Sequence, residues 1–172
     1  MANTDAPRGF RPYGQLLHVG IYVASGTIYP GDMVKQEAGA SNTTQLRTRV
    51  AVGANGDALI GCALNYATVG QMIRVADDPM QLFSGQGDGA DYDENADLGT
   101  NAGLLATAGD STYKVSRQEI KTSDINTTAT LSLKILGVVP RQDGKNAFGA
   151  FVELICKINN HQLGSHTGTA GV

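Results

Sequence analysis

The feature that most limits this chain is an alternation of apolar and polar residues, cut repeatedly by turn-forming pairs. In TATLSLKILGVV, Leu131, Leu133 and Ile135 fall on one side, and Thr130, Ser132 and Lys134 on the other. AFGAFVELICKIN repeats the pattern with Ala150, Val152, Leu154, Cys156 and Ile158. Side chains of a strand point alternately to its two faces, so a period of two specifies half-buried β-strands and works against helices. Asp143-Gly144 lies between these two runs, as expected for an antiparallel pair joined by a turn and loop. Phe151 and Ile155, on the nominally outer face, imply that this face is covered as well.

The same reading extends upstream. QLLHVGIYVA reads as a strand, and Pro30-Gly31 marks a turn between two short β segments, proline fixing φ and glycine supplying a positive one. Leu46, Thr48, Val50 and Val52 alternate with Gln45, Arg47, Arg49 and Ala51, and Asn55-Gly56 then predicts a tight hairpin. ALIGCALNYATVGQMIRVADDP reads as two strands about a turn at Thr68 to Gly70, and MQLFSG as a further short strand. Leu98 to Ala108, crowded by glycines, fits a short helix and a strand equally. With 172 residues, 22 glycines and no tryptophan, the chain is expected to form one turn-rich domain with a proper core.

The two ends read differently. Residues 1–14 hold Pro7, Arg8, Gly9, Phe10, Arg11, Pro12 and Tyr13, whose prolines forbid a helix; they are expected to form an extended arm, separable from the body and ordered where it docks. Residues 15–162 form the β-rich body, and residues 163–172 a small, polar, exposed tail. The fold class expected is therefore mainly β: a single antiparallel β-sandwich or β-barrel domain with an extended N-terminal arm.

Charge narrows the functions. Residues 1–74 sum to +2, residues 75–113 to −8 and residues 114–172 to +3, so the acid is concentrated mid-chain. Clustered Lys and Arg interleaved with stacking aromatics do not occur, and no nucleic-acid partner is expected. No window approaches the roughly 18 to 20 apolar residues of a membrane span, and the amino terminus has no apolar signal core. A cytosolic origin without membrane contact is the expectation. Cys62 and Cys156 each sit in an apolar run and read as small buried hydrophobes of a reducing compartment.

The motifs that could carry chemistry fall short of it. Asp91-x-Asp93-x-Asn95 opens like a calcium loop, yet Ala96 stands where the turn needs glycine, and Ala102 where a bidentate glutamate closes the shell. The stretch Ser84 to Asp97 is instead read as a solvated acidic surface loop. Gly85, Gly87 and Gly89 have the wrong spacing for a dinucleotide fingerprint, and no phosphate-binding G-x-x-x-x-G-K-[ST] occurs. His18, His161 and His166 lack ligand spacing, no serine lies in a nucleophile elbow, and Glu119 and Glu153 do not form a readable carboxylate pair. No catalytic residue, metal or cofactor is assigned, and a non-enzymatic role is expected.

Three stretches carry a resemblance across most of the chain: ANTDAPRGFRP, IGCALNYATVGQMIRVADDPMQLFSGQ and LKILGVVPRQDGKNAFGAFVELICKINNHQL. In that order they resemble the decoration, or cement, proteins on the heads of tailed bacteriophages. The resemblance implies an abundant virion protein on the outer capsid surface, made in the host bacterial cytoplasm. It would form a dimer or trimer over a β-sandwich or β-barrel core, with the major capsid protein and itself as partners. The arm with Pro7, Gly9, Phe10 and Pro12 would lie on the capsid or an adjacent subunit. Asp77, Asp78 and Pro79 would end a core strand, and Lys157, Asn159, Asn160 and His161 would end the last one. Arg8, Phe10, Arg11, Pro12 and Tyr13 are thus the candidate capsid or inter-subunit contacts, the aromatics as buried anchors and the arginines as partners of carboxylates. A tail tube or fibre component and a carbohydrate-binding β module are the competing readings. A major capsid protein is disfavoured, because no long amphipathic spine helix is present.

Overall fold

The computed structural model describes residues 3–37, 47–93, 95–142, 144, 146–164 and 168–171. Its elements are strands throughout, β1(Arg11–Tyr13), β2(Val19–Ala24), β3(Met33–Gln36), β4(Arg49–Val52), β5(Gly61–Ala63), β6(Met72–Ala76), β7(Leu82–Gln86), β8(Asn101–Leu105), β9(Glu119–Asn126), β10(Leu133–Val138) and β11(Glu153–Ile158). No helix occurs among the described residues, so none is long and apolar enough to cross a membrane.

The mainly β expectation holds, and the architecture is a closed barrel beside a sheet. Strands β2-β4-β3-β5-β6 close into a five-stranded barrel, and β1-β7-β11-β10-β8-β9 form a six-stranded antiparallel sheet. The barrel is antiparallel except between β2 and β4, which run parallel. Small and β-branched side chains fill its narrow interior: Ala24, Val34, Val50, Ile60, Ala63, Ile73 and Val75. The sheet curls as well, because a parallel bridge between Gly87 and Ile120 brings the end of β7 back to β9.

One core spans both halves. The inner face of the sheet supplies Phe83, Leu104, Ile120, Leu133, Ile135, Leu154 and Cys156, and the barrel supplies Met33, Leu59, Cys62 and Ala76. Alternation explains the division, since Met33 belongs to the sheet-side core while its neighbour Val34 fills the barrel. Both cysteines are buried and unlinked, and burial pushes the Cys156 thiol up to about 12 and raises that of Cys62 still further.

Several expectations hold. The β10–β11 pair is antiparallel, with Val152, Leu154, Cys156 and Ile158 buried. The turn before Gly70 joins β5 to β6, and Gly31 takes φ +96°. Leu98 to Ala108 resolves as the strand β8. Others need correction. Gly56 does turn, at φ +80°, but β4 and β5 are not partners: both pair with β3, which lies between them. Strand β9 was not foreseen, because EIKTSDIN carries only two apolar residues and packs mainly through Glu119, Ile120 and Thr122. Gln45 and Leu46, and the Asp143 half of the expected turn, lie outside the described residues.

The amino-terminal segment is the largest departure. Residues 11–13, expected in a separable arm, are strand β1, with Arg11 opposite Ser84 and Tyr13 opposite Leu82. Phe10, expected to anchor on a partner, is 1% exposed and belongs to this chain's own core. Its ring fills the space above Gly85, where a β-carbon would stand 2.7 Å from it. The carboxyl end also docks: Asn101 donates to the Thr169 carbonyl at 2.7 Å, Thr169 N–H donates to Asn159, and Gly171 N–H donates to Thr127. Residues 168–171 are thus tied to the body by hydrogen bonds, while Thr169 and Ala170 are exposed as expected of the tail.

Candidate functional site at the amino-terminal face

The amino-terminal segment is pinned as a ridge over the joint between barrel and sheet. Asn3 donates to the carbonyls of Ala147 and Ala150, and Gln86 clasps the next residues by accepting from Ala6 N–H at 3.0 Å and donating to the Thr4 carbonyl at 2.8 Å. Phe10 N–H donates to the Gly31 carbonyl at 2.8 Å, and the Cys62 thiol donates to the Phe10 carbonyl. Gly9 is wedged against Ser116 and Gly31 with no room for a β-carbon. With the backbone fixed in this way, Arg8 and Arg11 are held at the surface while Phe10 goes inward.

A hollow lies on each side of the ridge, and Arg8 and Arg11 line both. The smaller, about 370 Å³, is completed by Arg141, Phe151 and Glu153. The larger, about 690 Å³, is a groove with Pro7, Pro30, Leu64 and Val115 on its walls, and Tyr113 and Arg117 beside them. Its far wall is a loop organised by Asp110, which accepts from Thr112 N–H, Tyr113 N–H and the Arg117 guanidinium. The Tyr113 N–H, and after it those of Thr112 and the charge of Arg117, hold the Asp110 carboxyl below the usual carboxylate range. Lys114 secures the loop to the barrel, its Nζ lying 4.0 Å from the Tyr66 ring centre. The loop leaves Tyr113 78% exposed. Among the described residues, Arg8, Arg11 and Arg141 have no carboxylate within ion-pair distance.

The acidic loop is partly self-satisfied. Asp93 accepts from Asn95 N–H at 2.8 Å, and Asp97 accepts from Asp93 N–H at 2.7 Å. Asp88 binds the hydroxyls of Thr122 and Ser123, both at 2.7 Å; burial works against its charge, but these bonds outweigh it and hold its carboxyl low. The stretch expected as one loop from Ser84 begins only after β7, and Tyr92 within it is buried in the core. Phe148 stacks on Tyr92 with ring centres 6.3 Å apart. Among the described residues no group of three His, Cys, Asp or Glu is placed to hold a metal.

A second polar cluster closes one end of the barrel. Buried Asp77 accepts from Gly20 N–H and from the Tyr22 hydroxyl at 2.6 Å, and lies 2.6 Å from His18 Nδ1. Burial first, and then Asp77, raise the Tyr22 hydroxyl well above its ordinary range, so it stays a donor. No hydroxyl or thiol nucleophile hydrogen-bonds His18 among the described residues, and the cluster reads as a tie between β2 and the end of β6. On the outer side of this wall Ile21 and Met72 are exposed beside Arg74, and Leu16, Leu17 and Met80 are exposed in the segments that flank it. Gln81 accepts from Leu17 N–H and so draws the turn bearing Met80 beside it.

Of the five contacts expected from sequence, Arg8 and Arg11 meet at the two hollows, Pro12 lines the larger one, and Tyr13 is half-buried in β1. Phe10 supports the face from beneath. Tyr113, Arg117 and Arg141 were missed, because only the fold brings them to the arm. The one local signal was Asp110-Ser111-Thr112-Tyr113, a turn led by an aspartate. Compared with known proteins, the chain matches no family model, no curated protein and no solved structure.

Proposed function

We propose that this chain is a structural virion protein of a tailed phage, of the decoration or cement class. It binds the outer surface of the head and stabilises it by bridging subunits of the major capsid protein. The reading rests on the resemblance across most of the sequence. Its main physical support is the set of exposed apolar side chains on and beside the β2–β6 wall, Leu16, Leu17, Ile21, Met72 and Met80, with the exposed Arg74 opposite Ile21. Exposed apolar surface rimmed by polar groups marks interaction sites, and methionine packs adaptably on irregular partners. A shell under internal pressure is pulled apart at its seams, and a stiff body that spreads contact across a seam resists this. No reaction, metal or cofactor enters the role.

The test is co-sedimentation of the full chain with heads lacking it. Wild-type protein is expected to pellet with the shells. The Ile21→Asp/Met72→Asp variant, whose changes lie at exposed positions, should stay in the supernatant while melting as the wild type does. Wild-type protein that fails to pellet at micromolar concentration overturns the proposal.

A further inference from the structure

We propose that the groove between residues 6–12 and 110–117 receives the acidic loop bearing Asp91, Asp93 and Leu98 from a second copy of this chain. Self-association would then be salt-sensitive and would run through Arg8, Arg11, Arg117 and Tyr113.

The groove has the make-up of a protein-binding surface. Its walls are apolar, and its rim carries arginine and tyrosine, two of the residue types that dominate interface energetics. Arg8 and Arg11 lack carboxylate partners among the described residues, and Arg117 is matched by Asp110, so the rim carries uncompensated positive charge. Strand addition is a poor use of this edge, because Pro12 in the edge strand β1 has no N–H to offer. An occupant must engage through side chains.

The chain carries a knob of the matching chemistry. Residues 88–98 contain five acidic residues and no lysine or arginine. Within them Asp91 and Asp93 are exposed and Leu98 presents apolar surface at 51% exposure, to which Phe148, stacked on Tyr92 from the β10–β11 connection, adds its own at 48%. Carboxylates flanking apolar side chains fit arginines flanking an apolar groove, and such complementarity fixes partner and register. The loop cannot fold over into its own groove. Tyr92 pegs it in the core, and Gly149 N–H donates to the Tyr92 carbonyl at 3.1 Å. Both surfaces are held in place before they meet, which limits the entropy lost on association. Groove and knob are different patches. The contact therefore forms head to tail in a ring, or twice in a two-fold pair.

The inference deepens the self-association within the proposed function, but its test contains no shells, so either can fail alone. Sedimentation of the full chain at micromolar concentration, in 50 and 500 mM NaCl, reads the contact directly. Wild-type protein should associate in low salt and weaken by about tenfold or more in high salt. Arg8→Glu/Arg11→Glu and Asp91→Lys/Asp93→Lys should each be monomeric, and an equimolar mixture of the two should associate again. Tyr113→Ala alters a side chain that is almost wholly in solvent, and should weaken association by about tenfold without a change in melting. A monomeric wild type overturns the proposal. So does association indifferent to charge reversal or to Tyr113→Ala, or a mixture of folded reversal variants that stays monomeric.

Discussion

Glu119 opens β9 at 8% exposure, with the negative charges of Asp5 and Asp88 nearby. Burial first, and those two carboxylates after it, push its pKa up from 4.5 to about 7. The folded protein keeps this proton where the unfolded chain has lost it, so the stability linked to it is whole below pH 4.5 and is lost as pH rises through about 7. Glu119→Gln holds a neutral group at every pH. Its melting temperature relative to wild type should therefore be higher at pH 8 than at pH 4.5, and a pH-independent difference would remove the linkage. Phe10 poses a packing question at the same scale. Phe10→Ala should cost about 3–5 kcal/mol in urea unfolding, as for a large core aromatic. Gly85→Ala places a methyl group 2.7 Å from the Phe10 ring and should cost about 1–3 kcal/mol through overpacking. A loss below about 0.5 kcal/mol for Phe10→Ala would mean that the ring is not part of the core.

At the scale of elements, strand β1 changes what truncation should do. A free arm could be removed without harm, whereas this segment carries a core residue and the edge strand against β7. Deleting residues 1–13 should therefore abolish the cooperative melt or lower its midpoint by well over 10 °C, since losing Phe10 alone amounts to several kcal/mol. A truncated chain melting near the wild type would restore the detachable arm. The acidic loop makes the opposite prediction. Its carboxylates already accept from Asn95 N–H, Asp93 N–H and the hydroxyls of Thr122 and Ser123. EDTA should leave the melting temperature unchanged, whereas a bound structural ion would give a chelator-dependent fall by mass action.

At the scale of the whole molecule, the barrel and the sheet share one hydrophobic core, with Met33, Leu59, Cys62 and Ala76 of the barrel packed among the residues of the sheet. Neither half can lose its structure without exposing apolar surface of the other. Urea unfolding should be a single transition, coincident by far-ultraviolet dichroism and tyrosine fluorescence. Two separated transitions would show that the halves are independent.

What the sequence determined by itself was local. Period-two runs set the β class, the faces of β10 and β11 and the β5–β6 hairpin, because side-chain alternation and turn chemistry act over a few residues. The tertiary structure decided everything that joins distant segments. Strand β3 comes between β4 and β5, a polar strand β9 is held by its neighbours, and Phe10 is drawn under the ridge that Arg8 and Arg11 crown. Tyr113, Arg117 and Arg141 reach the candidate site by the same route, from parts of the chain about a hundred residues or more beyond the arm. A proline-rich segment with two aromatics reads alike whether it docks on a neighbour or on its own body. The choice depends on whether a complementary apolar slot exists within reach, and here the space left by Gly85 beneath the barrel–sheet joint supplies it.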